Sequence, residues 1–294
     1  IILKINYSLY MNKNIVFLDG GFLFEINKKY NDLGQKALFE NINDIYNIYE
    51  NYINLGCNII TTNNYGFKPN QSDNWEELCI KSEEIFINLK KKYPNIKIFG
   101  SLPPFFPSYS IEPINENFIL FYNKLITILN NYVDEFLIET SVSVEHIECI
   151  CSVIKKLDID KNINISFYPT KINKKQLLDF IENYYLSIDK LFINCCNFDN
   201  MKNFYNEYLF EIINNYKKIK FGFYLNNIDE KKYKDTPVVK DLQDFKINNN
   251  ENNNEYNKIK KFIKDFDIIY VGGCCGYGIL EMKELINYLN KDNI

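Results

Sequence analysis

Phe266-Asp267-Ile268-Ile269-Tyr270-Val271-Gly272-Gly273-Cys274-Cys275-Gly276 passes from an apolar, strand-like segment straight into two glycines and two adjacent cysteines. Neighbouring side chains on a strand point to opposite faces, so both thiols converge only where the backbone leaves strand geometry. The flanking glycines permit that, because they reach torsions closed to other residues. A second strand-like run, Lys190 to Asn194, also ends on a cysteine, Cys195. Three cysteines at the ends of two buried strands suggest a zinc site with one open position, the layout of a catalytic metal rather than a structural one.

The same punctuation recurs along the chain. Ile15–Leu18, Asn58–Thr62, Lys97–Ser101, Glu135–Glu139, Asn162–Tyr168, Lys190–Asn194, Lys220–Tyr224 and Asp267–Val271 read as strands. Amphipathic segments lie between them. Leu38, Ile42, Ile45, Tyr49 and Tyr52 form one stripe at helical spacing, and Ile279, Met282, Leu285, Ile286 and Leu289 form the last. Asp73 with Glu76 has the spacing of a capping box. Eight strands, each followed by a helix, predict an α/β fold, a closed (β/α)8 TIM barrel.

In that architecture chemistry gathers where strands run out into loops. Asp19, Thr61, Thr62, Asn63, Ser101, Glu139, Cys195, Asn226 and Cys274 all fall at such ends. An open doubly wound sheet also alternates its elements, but need not collect polar residues from so many strands. Residues 15–294 are expected to form one domain, with residues 1–14 as an N-terminal extension and Met11 as a candidate start. The Asn- and Lys-rich stretch Lys231 to Asn257 is long for a barrel connection and predicts an irregular excursion before the last strand.

Composition narrows the function. The chain has 294 residues, 46% of them hydrophobic, enough for one large core. A net charge of −4 with no basic block gives no reason to expect a nucleic-acid partner. No apolar stretch is long and clean enough to span a bilayer, and no membrane partner is expected. Arginine is absent, Ala37 is the lone alanine, and there are 23 Tyr and 23 Phe, which matches a bias toward AT-rich codons and weakens arguments from aromatic abundance. Eight cysteines without a secretory signal pattern favour thiols or metal over disulfides, and a cytoplasmic location. Cys57, Cys79, Cys149 and Cys151 read as packing residues.

A zinc ion on three thiolates suits activation of a sulfur nucleophile more than polarisation of a carbonyl, because the electron-rich ligands weaken its Lewis acidity and a metal lowers a thiol's pKa. Glu139 ends an apolar strand, where a carboxylate is costly unless paired. It reads equally as the partner of a substrate ammonium or of a neighbouring strand. Asp19, before Gly20-Gly21, either holds an amine or caps a turn, and the glycines would let a carboxylate approach backbone N–H groups. For the cysteine pairs, a reactive or disulfide-forming pair is the competing reading. Cys196 should point away from Cys195 along the strand. His146, the only histidine, reads as a helix-packing residue. Phe105-Phe106-Pro107-Ser108-Tyr109 is an aromatic wall for a cation or a loop anchor.

From about Ile15 to Leu289 these residues resemble the zinc-dependent homocysteine S-methyltransferase family. Gly272-Gly273-Cys274-Cys275-Gly276 is similar to the family's GGCCG motif, and Asn194-Cys195 to its Asn-Cys motif. Leu18-Asp19-Gly20-Gly21, Gly56-Cys57-Asn58-Ile59-Ile60-Thr61-Thr62-Asn63, Glu135-Phe136-Leu137-Ile138-Glu139-Thr140 and Tyr224-Leu225-Asn226-Asn227 resemble its remaining signatures. The resemblance implies a (β/α)8 barrel with Zn2+ on Cys195, Cys274 and Cys275, and homocysteine thiolate as fourth ligand. It implies Asp19 and Glu139 on the amino group, Thr62 and the Gly20-Gly21 backbone on the carboxylate, and Asn226 in the substrate site. The reaction implied is methyl transfer to sulfur, giving methionine, from S-methylmethionine or S-adenosylmethionine. Betaine as donor and a non-catalytic zinc- or thiol-binding barrel are the alternatives, with a metal-free cysteine-redox protein further off. Three loop motifs depart from the family: Gly276-Tyr277-Gly278, Ser101-Leu102-Pro103-Pro104 and Asn227-Ile228-Asp229. All three flank the region where a donor would sit.

Overall fold

The eight apolar runs become eight strands, all parallel, in the order β1-β8-β7-β6-β5-β4-β3-β2. They are β1 (Val16–Phe17), β2 (Ile59–Thr61), β3 (Lys97–Leu102), β4 (Glu135–Ser141), β5 (Ile163–Phe167), β6 (Ile188–Cys196), β7 (Lys220–Leu225) and β8 (Tyr270–Gly273). The ends of the sheet meet: Leu18 bridges Ile59 in parallel, Asn58 N donates to Phe17 O (2.7 Å) and Asp19 N to Ile59 O (3.0 Å). The result is a (β/α)8 TIM barrel, seen here in a computed structural model that describes residues 15–169, 172–226, 252–266 and 268–291. The expected extension, residues 1–14, lies outside the described residues, as does most of the Asn-rich excursion. Where that stretch is described, from Asn252 on, it is not irregular but opens a helix.

Helices α1 (Phe22–Tyr30), α2 (Gln35–Glu40) and α3 (Ile42–Asn54) follow β1; α4 (Trp75–Lys92), α5 (Glu116–Leu129), α6 (Val144–Lys156) and α7 (Lys174–Tyr184) follow β2 to β5. After β6 come α8 (Phe198–Phe204), a π-helical turn (Tyr205–Leu209) and α9 (Phe210–Asn215); α10 (Asn252–Phe266) precedes β8 and α11 (Ile279–Asn290) follows it. The abundant asparagines have a local use. Side chains of Asn115, Asn173 and Asn197 accept from the backbone N–H three residues on, capping α5, α7 and α8, as Ser143 does for α6. Two expectations are corrected. The stripe from Leu38 to Tyr52 breaks at Asn41, where extended backbone separates α2 from α3. The Asp73–Glu76 box does not form, because α4 begins only at Trp75 behind Asn74, whose side chain bonds Ser72.

Strand alternation splits the interior in two. Outward residues pack under the helices in the main core, while Leu18, Ile59, Phe99, Leu137, Phe192, Tyr224 and Tyr270 fill the barrel itself. Gly272 makes room for that filling: a Cβ there would stand 2.9 Å from both Leu18 Cβ and Tyr224 Cδ1. At the N-terminal end of the barrel Lys190 is 1% exposed, with Nζ 2.7 Å from Glu135 Oε2 and bonded also to Asp189 and Asn164. Burial alone would raise the Glu135 carboxyl, but hydrogen bonds from Lys190, Lys97 and Asn164 outweigh it and hold the group near about 2. A charge so paired closes this end of the barrel and leaves the other for chemistry. Among the described residues no helix is long and apolar enough to cross a membrane.

Candidate active site

At the C-terminal ends of β6 and β8 the thiols of Cys195, Cys274 and Cys275 lie within 4.8 Å of one another. Cys195 Sγ is 2.9 Å from Cys274 Sγ, which is 3.9 Å from Cys275 Sγ. Plain alternation would not have done this. Phe192 faces the barrel interior, so Cys196 would share its side and Cys195 would face the helices. Instead the β6–β7 register shifts between Ile193 and Cys196, and Cys195 adopts φ 55°. That left-handed backbone, uncommon outside glycine, swings Cys195 toward β8. Cys196 joins the core beneath the helices. The β4 end uses the same device: its register shifts between Ile138 and Ser141, with Thr140 at φ 51°. Thr140 Oγ1 accepts from Asn194 Nδ2 at 2.9 Å, tying the two distorted ends together.

On β8, Cys274 N donates to Leu225 O (2.7 Å) and Tyr277 N to Cys274 O (3.1 Å). Gly276, at φ 77°, turns the chain between them and brings Cys275 alongside Cys274. The pair Gly20-Gly21 packs on this turn. A Cβ on Gly20 would meet Tyr277 O at 2.3 Å and one on Gly21 would meet Cys274 O at 2.6 Å. Gly21 N–H is donated to Tyr277 O (2.8 Å).

Beside the thiols stand two carboxyl groups. Asp19 is 2% exposed and accepts from Thr61 N (2.8 Å) and Thr61 Oγ1 (3.3 Å). Burial pushes its pKa up to about 8, the Thr61 bonds oppose, and the charge of Glu139 adds to the rise. Burial likewise raises Glu139 to about 7, with the nearby Ser101 side chain opposing the rise. Tyr224 feels Asp19, Glu139 and Cys274 together, which places carboxyls and thiols around one space. Contact with Cys195, then burial, push the Cys274 thiol well above its ordinary range. Crowded thiols of this kind need a cation before they ionise together.

Of the other residues expected here, Thr62 has its hydroxyl engaged, donating to Asn64 Oδ1 (2.6 Å) and accepting from Ser101 N (2.8 Å). Asn226 follows β7 directly, next to the Leu225 carbonyl that takes the Cys274 amide. His146 lies on α6 with Nε2 2.7 Å from Glu112 O, among the rings of Phe106 and Phe118. The sequence assigns no role to β5, where Ser166 is fully buried with no partner for Oγ among the described residues, or to Asn63, 1% exposed with both amide atoms unpartnered among them. Tyr109 was read only as part of an aromatic run; at φ 71° its ring lies 4.4 Å from that of Tyr168 and against the Cys195 thiol. Only the Asn63 position carried a signal, as a strand-end polar residue.

Three thiolates in tetrahedral coordination at about 2.3 Å from zinc stand about 3.8 Å apart. The Cys274–Cys275 spacing already matches, and Cys195 needs to withdraw from Cys274 by under an ångström. The soft donors suit zinc, so the cluster can hold a metal.

A parallel eight-stranded barrel carries three convergent thiols at its C-terminal end, a cluster that could hold a metal ion. The chain matches the sequence profile of homocysteine S-methyltransferases over residues 16–289 and belongs to that enzyme family. No curated protein sequence matches it significantly. Three crystal structures of the homocysteine methyltransferase MmuM from Escherichia coli, in metallated, oxidised and apo forms, share the fold with TM-scores of 0.71, 0.72 and 0.69. They are 16, 17 and 16% identical, and the alignments cover 94, 95 and 96% of this chain and 96, 97 and 98% of theirs.

Proposed function

We propose that this chain moves a methyl group from a sulfonium donor, S-methylmethionine or S-adenosylmethionine, to the sulfur of homocysteine, giving methionine. The observation that carries the reading is the tri-thiol cluster at the same barrel end as two carboxyls held above their usual range, Asp19 buried and Glu139 half-buried. Zn2+ on Cys195, Cys274 and Cys275 would supply the acidity that keeps an incoming thiol as thiolate near neutral pH.

The chain's own residues do the rest. Asp19 and Glu139 take the homocysteine ammonium, whose charge repays the burial that otherwise keeps them protonated. The Gly20-Gly21 segment orients the carboxylate; since Gly21 N–H is already donated, the amide of Gly20 is the backbone contact proposed, and Thr62, whose hydroxyl proton goes to Asn64, acts only indirectly by fixing β2 against β3. Asn226 lines the substrate space from β7. In the transfer one S–C bond forms as another breaks, the acceptor thiolate becomes a thioether, and the sulfonium leaves as a neutral thioether. No proton moves in that step, so these residues bind and align and need no general acid. Residues 15–294 act as a single homocysteine-binding domain, with residues 1–14 as an extension, in the cytoplasm.

A donor screen tests this. Purified protein with homocysteine is offered S-methylmethionine, S-adenosylmethionine or betaine, with and without a chelator, and methionine is quantified. Chelator-sensitive methionine from a sulfonium donor is expected. Methionine from betaine alone would reassign the donor, and homocysteine binding without turnover would leave a thiol-binding barrel.

A further inference from the structure

The loop between β3 and α5 carries one of the three departures from the family pattern, and its path is fixed by side chains from outside it. Tyr122 OH donates to Pro103 O (2.7 Å) and accepts from Phe105 N (3.2 Å). Tyr65 OH pairs with Ser108 Oγ at 2.9 Å. The third anchor is unusual. Lys68, 2% exposed, reaches from the segment after β2 to place Nζ 2.8 Å from Pro104 O and 3.5 Å from Phe106 O. Its ammonium also stands 5.7 Å from the Tyr65 ring centroid. No carboxylate pairs with it among the described residues. Lysine is rarely buried without such a partner, and burial pulls this one down to about 8.

The ammonium has three N–H donors, and two of them gather two carbonyls of the loop. What the loop holds next is Tyr109, in the left-handed conformation, its ring tilted against that of Tyr168 and near enough to Cys195 and Cys275 to interact electrostatically with them. Such a backbone persists only when its surroundings over-determine it. Asp19 and Tyr224 come from β1 and β7, beside the strands that carry the thiols, whereas Tyr109 comes from the β3–α5 loop across the mouth of the barrel.

We infer that Lys68 is a positioning residue for the methyl donor, fastening residues 103–110 so that Tyr109 stands beside the cysteine cluster. The inference rests on the proposed reaction, and its effect falls on the donor and not on homocysteine. In the full-length zinc-loaded protein, Lys68→Met is expected to raise the donor KM at least tenfold. Homocysteine KM and zinc content should stay within twofold of wild type. Amide hydrogen exchange across residues 103–110 should rise, while exchange in the β4 and β6 core does not. Lys68→Arg, which keeps the charge and the donors, should recover most of the donor KM. If Lys68→Met does not fold, Lys68→Gln reads the same quantities without the charge. Unchanged exchange in the loop, or faster exchange with an unchanged donor KM, overturns the assignment. Absence of turnover in the wild-type protein with every donor defeats the proposed reaction instead. Loop exchange in the Lys68 variants then decides the clamp alone, faster exchange retaining it and unchanged exchange removing it.

Discussion

Asp19→Asn should make the protein more stable while crippling its use of homocysteine. The Asp19 carboxyl titrates at its ordinary value of 3.8 in the unfolded chain and at about 8 in the fold. A group whose pKa is raised in the fold binds its proton more tightly there. Its contribution is therefore fully present below pH 3.8 and is lost as pH rises toward 8. Each pH unit in that window is worth about 1.4 kcal/mol, so at pH 7 the carboxyl costs the fold on the order of 4 kcal/mol against a side chain that is neutral in both states. Coupling to Glu139 spreads part of that over the pair, leaving about 2–4 kcal/mol for the single change. Asparagine keeps the geometry, since its Oδ1 still accepts from Thr61 N and its amide can donate to Thr61 Oγ1. Urea unfolding of the zinc-free protein at pH 5, 6, 7 and 8 should show an advantage for the variant that widens by about 1 kcal/mol per unit up to pH 7. Calorimetry on the zinc-loaded protein should show much weaker homocysteine binding. A stability difference independent of pH, or a variant less stable than wild type at pH 7, would refute the reasoning.

Two further outcomes follow from the same geometry. Cys274→Ala removes the sulfur that lies near both other thiols. Zinc measured by mass spectrometry after dialysis should fall well below one per chain with methionine formation lost, and an undiminished zinc content would exclude Cys274 as a ligand. Lys190→Met leaves the buried Glu135 carboxylate without its chief partner. Unfolding experiments should show a loss of about 3–5 kcal/mol, and the double variant Lys190→Met/Glu135→Gln should regain much of it. A double variant no better than the single one would show that lost packing, and not an uncompensated charge, explains the cost.

Eight apolar runs, each followed by an amphipathic segment, sufficed to predict the barrel, because strand burial and helix periodicity are written in residues close in the chain. Polar residues at strand ends pointed to Asp19, Glu139, Cys195 and Cys274 for the same reason: a parallel strand buried on both faces has little other place for them. Local pattern reached less far at the caps, where Asp73 and Glu76 had the right spacing but the helix began beyond them.

Tertiary structure decided what those side chains face. By alternation alone Cys195 belongs under the helices; a register shift against β7 and a left-handed residue bring it to the sulfurs of β8. Thr62 looked available for a substrate until β3 and Asn64 claimed its hydroxyl, and neither partner is marked by its spacing in the chain. Lys68 had no signal of its own, because a buried lysine acquires its meaning from carbonyls some 36 residues away. Sequence thus determined the barrel and the end at which its chemistry lies. Orientation within that end depends on hydrogen bonds and steric fits between strands distant in the chain, and these exist only once the barrel has closed.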